Sequence, residues 1–220
     1  MIMGTKKNIL RRYCTRVFWF IAWGSVVSCS QESLTRDASS LPEGHFKNPL
    51  YYADFPDPDI VKSGSDFYMV TSSFPYSPGL PIHHSTDLVH WDLIANAFET
   101  QHSSHYDTPR HGDGVFAPSI KEHNGTFYIY YGDPDFGIVM MKSTHPSGPW
   151  TPPKVIKEAK GWIDPTPFWD EDGNAYMILA YAKSRAGINS VLVLHKLSSE
   201  GDQILDDGVI IYDGTDENPI

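Results

Sequence analysis

Two aspartates, each followed by proline, are the residues of this chain whose type and spacing best suit catalysis. Asp57 lies in the sequence Phe-Pro-Asp-Pro and Asp164 in Ile-Asp-Pro, while Phe-Ala-Pro places Ala117 between them at spacings of 60 and 47 residues. Two carboxylates that meet in an aromatic-lined cavity can hydrolyse a glycosidic bond. The prolines restrict the backbone, and a residue that precedes proline is predicted to be extended, which would hold Asp57 in one direction.

Two alternatives compete with this interpretation. Pro-Asp-Pro can simply form a rigid turn with a solvated acid, although the second Asp-Pro at a repeat spacing favours a shared site. Asp59 is the rival to Asp57, because residues two apart on a strand point to the same face.

Short runs of β-branched and aromatic residues alternate with turn signals from His45 onward, and no stretch has a convincing helical apolar period. Each of three runs follows a Gly-Ser, Asn-Gly or Asp-Gly turn signal and lies 11 or 12 residues after the residue that precedes proline. These second strands are predicted at 67–71, 127–131 and 175–179, and third strands at 82–85, 139–143 and 191–195. Trp91 and Trp150 follow in the first two units, with room for a fourth strand.

Four short strands per unit, repeated every 47 to 60 residues, predict the blades of a β-propeller starting near residues 55, 115 and 162. An immunoglobulin-like sandwich is also all-β but would not repeat its motifs in the same order. Asn48-Pro49 precedes the first unit and Asn218-Pro219 follows the third, as if a fourth blade were about to begin. Since a propeller needs about four blades to close, we expect residues 45–220 to be the N-terminal part of a propeller.

The N-terminus has the layout of an export signal. Five basic residues lie within residues 1–16, an apolar run covers 17–27, and no acidic residue precedes Glu32. Val-Val-Ser before Cys29 resembles the cleavage box of a bacterial lipoprotein. We therefore expect a signal peptide at 1–28, a lipid on Cys29, a polar tether at 29–44, and an exported, membrane-anchored protein. An ordinary signal with an incidental cysteine is the alternative.

Charge and cysteine content argue against a nucleic-acid-binding protein and against a disulfide-stabilised one. Without the leader, 12 basic and 27 acidic residues remain, a net charge of −15 that disfavours nucleic-acid binding. The other cysteine, Cys14, lies in the leader, so the mature chain has no pair for an internal disulfide.

Several motifs together resemble glycoside hydrolase family 43. They are Asn48-Pro49, residues 55–58, 71–74 and 78–82, His84–Trp91, Ala117-Pro118 and residues 163–165. The resemblance implies a five-bladed propeller, here truncated to about three blades, and inverting β-xylosidase or α-L-arabinofuranosidase activity on xylo- or arabino-oligosaccharides. No cofactor is implied as required, although a structural calcium ion on the propeller axis is compatible with the family.

The resemblance also implies residue roles. Asp57 matches the general base, and Asp164 matches a third acid that orients the general acid and raises its pKa. Phe74 matches an aromatic wall of the sugar pocket, and Phe116 falls where many members have tryptophan. The family's general acid is a glutamate in Glu-Gly-Pro, which this sequence lacks, and Glu217 precedes rather than follows its Asn-Pro. We therefore expect the 220-residue chain to be inactive.

A histidine-rich segment precedes Phe116. Its spacing fits no strong metal motif, so we expect a solvated loop at the cavity rim rather than a metal site. The residues concerned are His102, His105, Asp107, His111 and Asp113. Arg110 and His111 could contact substrate hydroxyls, and Asp133 and Asp135 are expected to be turn residues. The rival functional class is a non-catalytic, membrane-tethered propeller that binds sugar or another partner.

Overall fold

The computed structural model describes residues 44–215, which form three four-stranded antiparallel sheets. Blade 1 contains β1 (Asp59–Ser63), β2 (Asp66–Val70), β3 (Gly79–Ser85) and β4 (Asp92–Phe98). Blade 2 contains β5 (Phe116–His123), β6 (Thr126–Asp133), β7 (Gly137–Ser143) and β8 (Lys154–Glu158). Blade 3 contains β9 (Trp162–Trp169), β10 (Ala175–Tyr181), β11 (Val191–Leu197) and β12 (Val209–Asp213). Consecutive strands are neighbours in every sheet, so the prediction of three propeller blades rather than a sandwich is confirmed.

The described helices are short. A 3₁₀ turn (Ser104–Asp107) lies between blades 1 and 2, and α1 (Lys183–Ala186) joins β10 to β11. Neither is long enough to cross a bilayer.

Local turn chemistry accounts for the strand pairing in blade 2. Asn124 and Gly125 have φ values of 50° and 72°, as a two-residue type I′ turn requires. This turn pairs His123 with Thr126 and sets the register of β5 against β6.

Blade 2 has apolar side chains on both faces of its sheet, because blade 1 covers one face and blade 3 covers the other. Alternate side chains of β6 and β7 enter two different hydrophobic cores, as the two-residue period of a strand requires. Ile129 and Val139 pack in the core shared with blade 1, whereas Tyr130 and Ile138 pack in the core shared with blade 3. By contrast, the first four residues of β12 are exposed on both faces.

One end of the molecule collects the loops that matter for a site. The first strand of each blade begins, and the second strand ends, at this end, as the pairs Asp59–Val70, Phe116–Gly132 and Trp162–Tyr181 show. The outer strands β4 and β8 also finish here. We call it the entry end, and the chain passes from blade to blade across it.

Candidate active site

The three residues that precede proline share an unusual backbone conformation at the entry end. Asp57 lies just before β1, Ala117 is the second residue of β5, and Asp164 is the third residue of β9. Their φ values are 52°, 35° and 55°, so the predicted extended conformation at Asp57 is wrong. Aspartate visits this left-handed region more readily than most residues, whereas an ordinary side chain such as that of Ala117 loses about 1–2 kcal/mol there. The blades therefore begin with the same bend, and the bend directs each side chain.

The two aspartates, 107 residues apart in sequence, interact electrostatically. Burial by the surrounding protein raises the pKa of Asp164, and the negative charge of Asp57 raises it further. Asp164 nevertheless keeps contact with solvent, as does Asp57. Desolvation and a like charge both disfavour the ionised form of a carboxyl group. The structure thus brings Asp57 and Asp164 close enough to influence each other, and both remain exposed to solvent at the entry end.

Ser72 holds the Asp57 carboxylate. Its hydroxyl donates to Oδ2 of Asp57 at 2.6 Å and accepts from the backbone N–H of Ala117 at 2.8 Å. The backbone N–H of Ser72 also donates to the Pro56 carbonyl at 3.0 Å. These hydrogen bonds fix the orientation of the Asp57 carboxylate relative to the first strand of blade 2. Sequence reasoning missed this residue, although it follows β2 by two positions inside the Thr-Ser-Ser-Phe motif.

Asp59 has a different role from Asp57. Its Oδ2 accepts from the backbone N–H of Ile120 at 2.9 Å and from Lys121 Nζ at 2.8 Å. Both partners belong to β5, so Asp59 links blade 1 to blade 2. Asp59 is thus committed to a contact between blades, whereas Asp57 lies near the second acid, Asp164, which favours Asp57 over Asp59 as a base.

Gly132 allows the strand that carries Asp164 to lie close to blade 2. A Cβ atom at Gly132 would lie 2.7 Å from Cα of Ile163 and 2.8 Å from the carbonyl oxygen of Trp162. Real side chains do not tolerate such distances to backbone atoms. A glycine at the end of β6 therefore helps to position Asp164, a role that no local sequence pattern announced.

Phe74 and Phe116 form an aromatic pair, with Phe74 two residues after Ser72 and Phe116 directly before Ala117, the two residues hydrogen-bonded at Asp57. Their ring centroids lie 5.4 Å apart at an interplanar angle of 86°, the edge-to-face geometry that aromatic pairs prefer. Phe74 exchanges two backbone hydrogen bonds with Val115, each 3.1 Å long. Gln101 Nε2 donates to the Phe74 carbonyl at 2.9 Å. Phe74 and Phe116 are half-buried and can present apolar surface to a sugar ring.

The histidine-rich segment belongs to a long connector, residues 99–115, between blades 1 and 2. His102 Nε2 lies 2.9 Å from Oδ2 of Asp133, and the Tyr106 hydroxyl donates to the same oxygen. The His102 side chain is 5% exposed and that of Asp133 is fully buried. The expectation of a solvated loop is therefore wrong for His102, although Asp107 and His111 are exposed. The turn role of Asp133 is confirmed, because its Oδ1 accepts from the backbone N–H of Asp135 at 3.1 Å and its carbonyl accepts from that of Phe136 at 3.0 Å. A buried acid needs partners, and this one also anchors the connector.

The remaining predicted residues have weaker ties to the site. Arg110 Nε donates to the His105 carbonyl within the connector at 3.3 Å, and both Arg110 and His111 are exposed. Asp135 lies in the turn after β6, as expected. Within residues 44–215, no group of three or more His, Cys, Asp or Glu side chains is arranged to hold a metal ion. Cys29 and Glu217 lie outside the described residues.

Comparisons with known proteins agree with this arrangement. The family model of glycosyl hydrolases family 43 matches residues 46–220. A β-xylosidase of Formosa agariphila is 33% identical over 224 residues, covering 90% of this chain and 38% of that protein. A non-reducing end α-L-arabinofuranosidase of Bacteroides ovatus is 38% identical over 136 residues, which cover 58% of this chain and 25% of that protein. A crystal structure of xylan β-1,4-xylosidase from Bacillus halodurans is 29% identical and aligns with a TM-score of 0.67, covering 78% of this chain and 34% of its own.

The chain thus spans well under half the length of these relatives. The match nonetheless takes in all three blades and both aspartates. On that match, this chain belongs to glycosyl hydrolases family 43.

Proposed function

We propose that this chain is part of an inverting glycoside hydrolase that removes terminal β-xylosyl or α-L-arabinofuranosyl residues from hemicellulose fragments. The convergence of Asp57 and Asp164 beside Phe74 and Phe116 is the observation that carries the proposal. The relatives named as β-xylosidase and α-L-arabinofuranosidase support the substrate class.

In this mechanism, Asp57 removes a proton from a water molecule while the oxygen of that water forms a bond to the anomeric carbon. The glycosidic bond breaks on the opposite face, and a general acid protonates the departing oxygen. Asp164 orients that acid and raises its pKa through its own negative charge. Proton transfers and one displacement complete the reaction, so it requires no redox or organic cofactor.

The 220-residue chain itself is expected to bind pentose sugars without hydrolysing them. Its sequence has no Glu-Gly-Pro, and general acid catalysis typically contributes ~10²–10⁴-fold. Incubation with aryl β-xyloside and aryl α-L-arabinofuranoside, followed by release of the aryl alcohol, measures hydrolysis, and calorimetric titration with xylobiose measures binding. Turnover by the purified chain would contradict the predicted inactivity, and lack of any sugar binding would count against the substrate class.

Any coding sequence found to continue past Ile220 would separate the enzyme from a sugar-binding propeller. A Glu-Gly-Pro within a few residues supports the hydrolase, because it supplies the acid at the start of the next blade. Its absence supports a binding protein without catalysis.

We also propose that the protein is exported and held at a membrane by a lipid on Cys29. The basic leader, the apolar run and the Val-Val-Ser-Cys sequence support this. Replacing Cys29 with Ser is expected to move the protein from the membrane fraction to the soluble fraction of a bacterial lysate, and mass spectrometry of the mature N-terminus should lose the acyl mass. An unmodified Cys29 in the parent protein would rule out the anchor.

A further inference from the structure

Arg185 links blade 3 to the turn after β6 and to the connector at the entry end, and neither the sequence motifs nor the proposed mechanism gives it a role. It lies in α1, which follows β10 directly. Since Tyr181 at the end of β10 pairs with Trp162 at the start of β9, α1 lies at the same end of blade 3 as Asp164. The side chain extends from there toward the connector at residues 99–115.

The guanidinium group of Arg185 is shared between two carboxylates. Nη2 donates to Oδ1 of Asp113 at 2.7 Å, to the Gly112 carbonyl at 3.1 Å and to Oδ2 of Asp135 at 3.2 Å. Nε donates to Oδ1 of Asp135 at 3.4 Å. The side chains of Arg185, Asp113 and Asp135 are 26%, 17% and 28% exposed. Arginine suits such a site because its planar fork can bond several acceptors at once.

Asp113 lies three residues before Phe116, one member of the aromatic pair. The next residue, Gly114, has a φ of 91°, and a Cβ atom there would lie 2.2 Å from the carbonyl oxygen of Phe74. Val115 then pairs with Phe74 through two backbone hydrogen bonds, and the Phe116 ring meets the Phe74 ring edge to face. Residues 113–116 thus form a tightly packed path from the guanidinium group to the aromatic wall.

Charge explains why Arg185 matters for this path. Without its positive charge, Asp113 and Asp135 would face each other with no cation between them, close to the buried Asp133. Like charges in a partly desolvated site repel, and the connector would relieve the repulsion by moving away. His105 Nε2, 3.3 Å from Oδ2 of Asp113, cannot replace the fork, since it does not contact Asp135.

We propose that Arg185 is a positioning residue that fixes the Phe74–Phe116 aromatic wall and so sets the affinity of the pocket for pentose sugars. The statement about affinity rests on the proposed function, whereas the statement about ring geometry does not. Arg185 need not contact substrate, because it acts through Asp113 and the packing of Gly114.

The test uses the 220-residue chain with three variants, Arg185→Gln, Arg185→Lys and Lys183→Gln. Xylobiose is titrated calorimetrically, and nuclear Overhauser contacts between the Phe74 and Phe116 rings are recorded without sugar. We expect Arg185→Gln to weaken xylobiose binding about tenfold, as loss of ~1.4 kcal/mol of positioning would do, and to weaken the ring-to-ring contacts. Arg185→Lys should recover part of both, since it keeps the charge but not the fork. Lys183→Gln removes the same charge from an exposed position of the same helix and should change neither.

The outcomes separate this inference from the proposed function. If the unmodified chain fails to bind xylobiose while Arg185→Gln still loses the ring contacts, the substrate class is wrong and the positioning role stands. Full xylobiose affinity and unchanged ring contacts in Arg185→Gln overturn the positioning role. If Arg185→Gln does not fold, Asp113→Asn decides: it removes the acidic partner, and it must reproduce the loss of ring contacts.

Discussion

Replacing Asp57 with Asn is expected to lower the pKa of Asp164, because the substitution removes a negative charge that opposes ionisation of the second carboxyl group. Only part of the elevation should disappear, since burial is the larger cause and remains in place. Carbon-detected NMR titration of the Asp164 carboxyl in the 220-residue chain measures the change. Asparagine retains the size of aspartate, and its side-chain oxygen can still accept from Ser72.

The same substitution should nearly abolish hydrolysis in any longer polypeptide that combines these blades with a general acid. Without Asp57, no carboxylate is held in place to accept the proton of the attacking water, and loss of such a group costs ~10²–10⁴-fold in turnover. Binding of xylobiose should be largely retained, because the aromatic pair is untouched. The predicted result is thus a low kcat with a nearly unchanged dissociation constant.

Asp59→Asn is the matched control. It alters the same type of residue only two positions away, but its carboxylate bonds Lys121 and the backbone of Ile120. It should cost about 1 kcal/mol of stability or less through the partly exposed ion pair while leaving turnover and the pKa of Asp164 unchanged. If Asp59→Asn lowered that pKa while Asp57→Asn did not, the assignment of the base would have to be reversed.

The blades and their meeting point could be predicted because they repeat. Turn signals at a constant distance from each proline-linked residue predict equivalent strands, and equivalent first strands in a propeller line one axis. The encounter of Asp57 with Asp164 follows from that symmetry alone. Blade 2 has Ala117 instead of an acid at the equivalent position, yet Ala117 has the same left-handed backbone bend, so the repeat extends to all three blades.

The features that escaped prediction involve contacts without a local pattern. Local rules for a residue before proline favour an extended backbone, but the start of each blade imposes a left-handed one on Asp57. Asp133 begins a turn, as its glycine and proline neighbours predict, but no local pattern predicts that the connector buries its side chain. Arg185 lies 72 residues from Asp113 and 50 from Asp135, and no periodicity links a helix of blade 3 to the connector and to the turn after β6.

Acidification is expected to destabilise blade 1 through a buried histidine. The His83 side chain is fully buried in β3, and neither ring nitrogen has a hydrogen-bond partner within residues 44–215. The ring centroid lies 4.6 Å from that of Phe55 and 5.2 Å from that of Tyr51. Burial lowers the pKa of His83 from 6.5 to about 4, because these surroundings cannot stabilise an imidazolium ion.

The sign of the pH dependence follows from this lowered pKa. Between pH 6.5 and pH 4, His83 binds a proton in the unfolded chain but not in the folded chain. The free energy of unfolding therefore falls as the pH is lowered through this window, and it is unaffected by His83 above pH 6.5. A difference of about 2.5 pKa units corresponds to about 3 kcal/mol. Urea unfolding of the 220-residue chain at a series of pH values measures the loss.

Blade 2 provides the control for this prediction. Met141 in β7 occupies the position that His83 has in β3, one residue before Lys142-Ser143 as His83 precedes His84-Ser85, and it is buried in the same way. His83→Met should therefore fold and should remove most of the acid sensitivity between pH 6.5 and pH 4. Carboxyl groups that titrate at lower pH are common to both proteins, so their contribution cancels in the difference. Equal acid sensitivity of His83→Met and the parent chain would show that His83 is protonated in the folded state at little cost, in conflict with its burial.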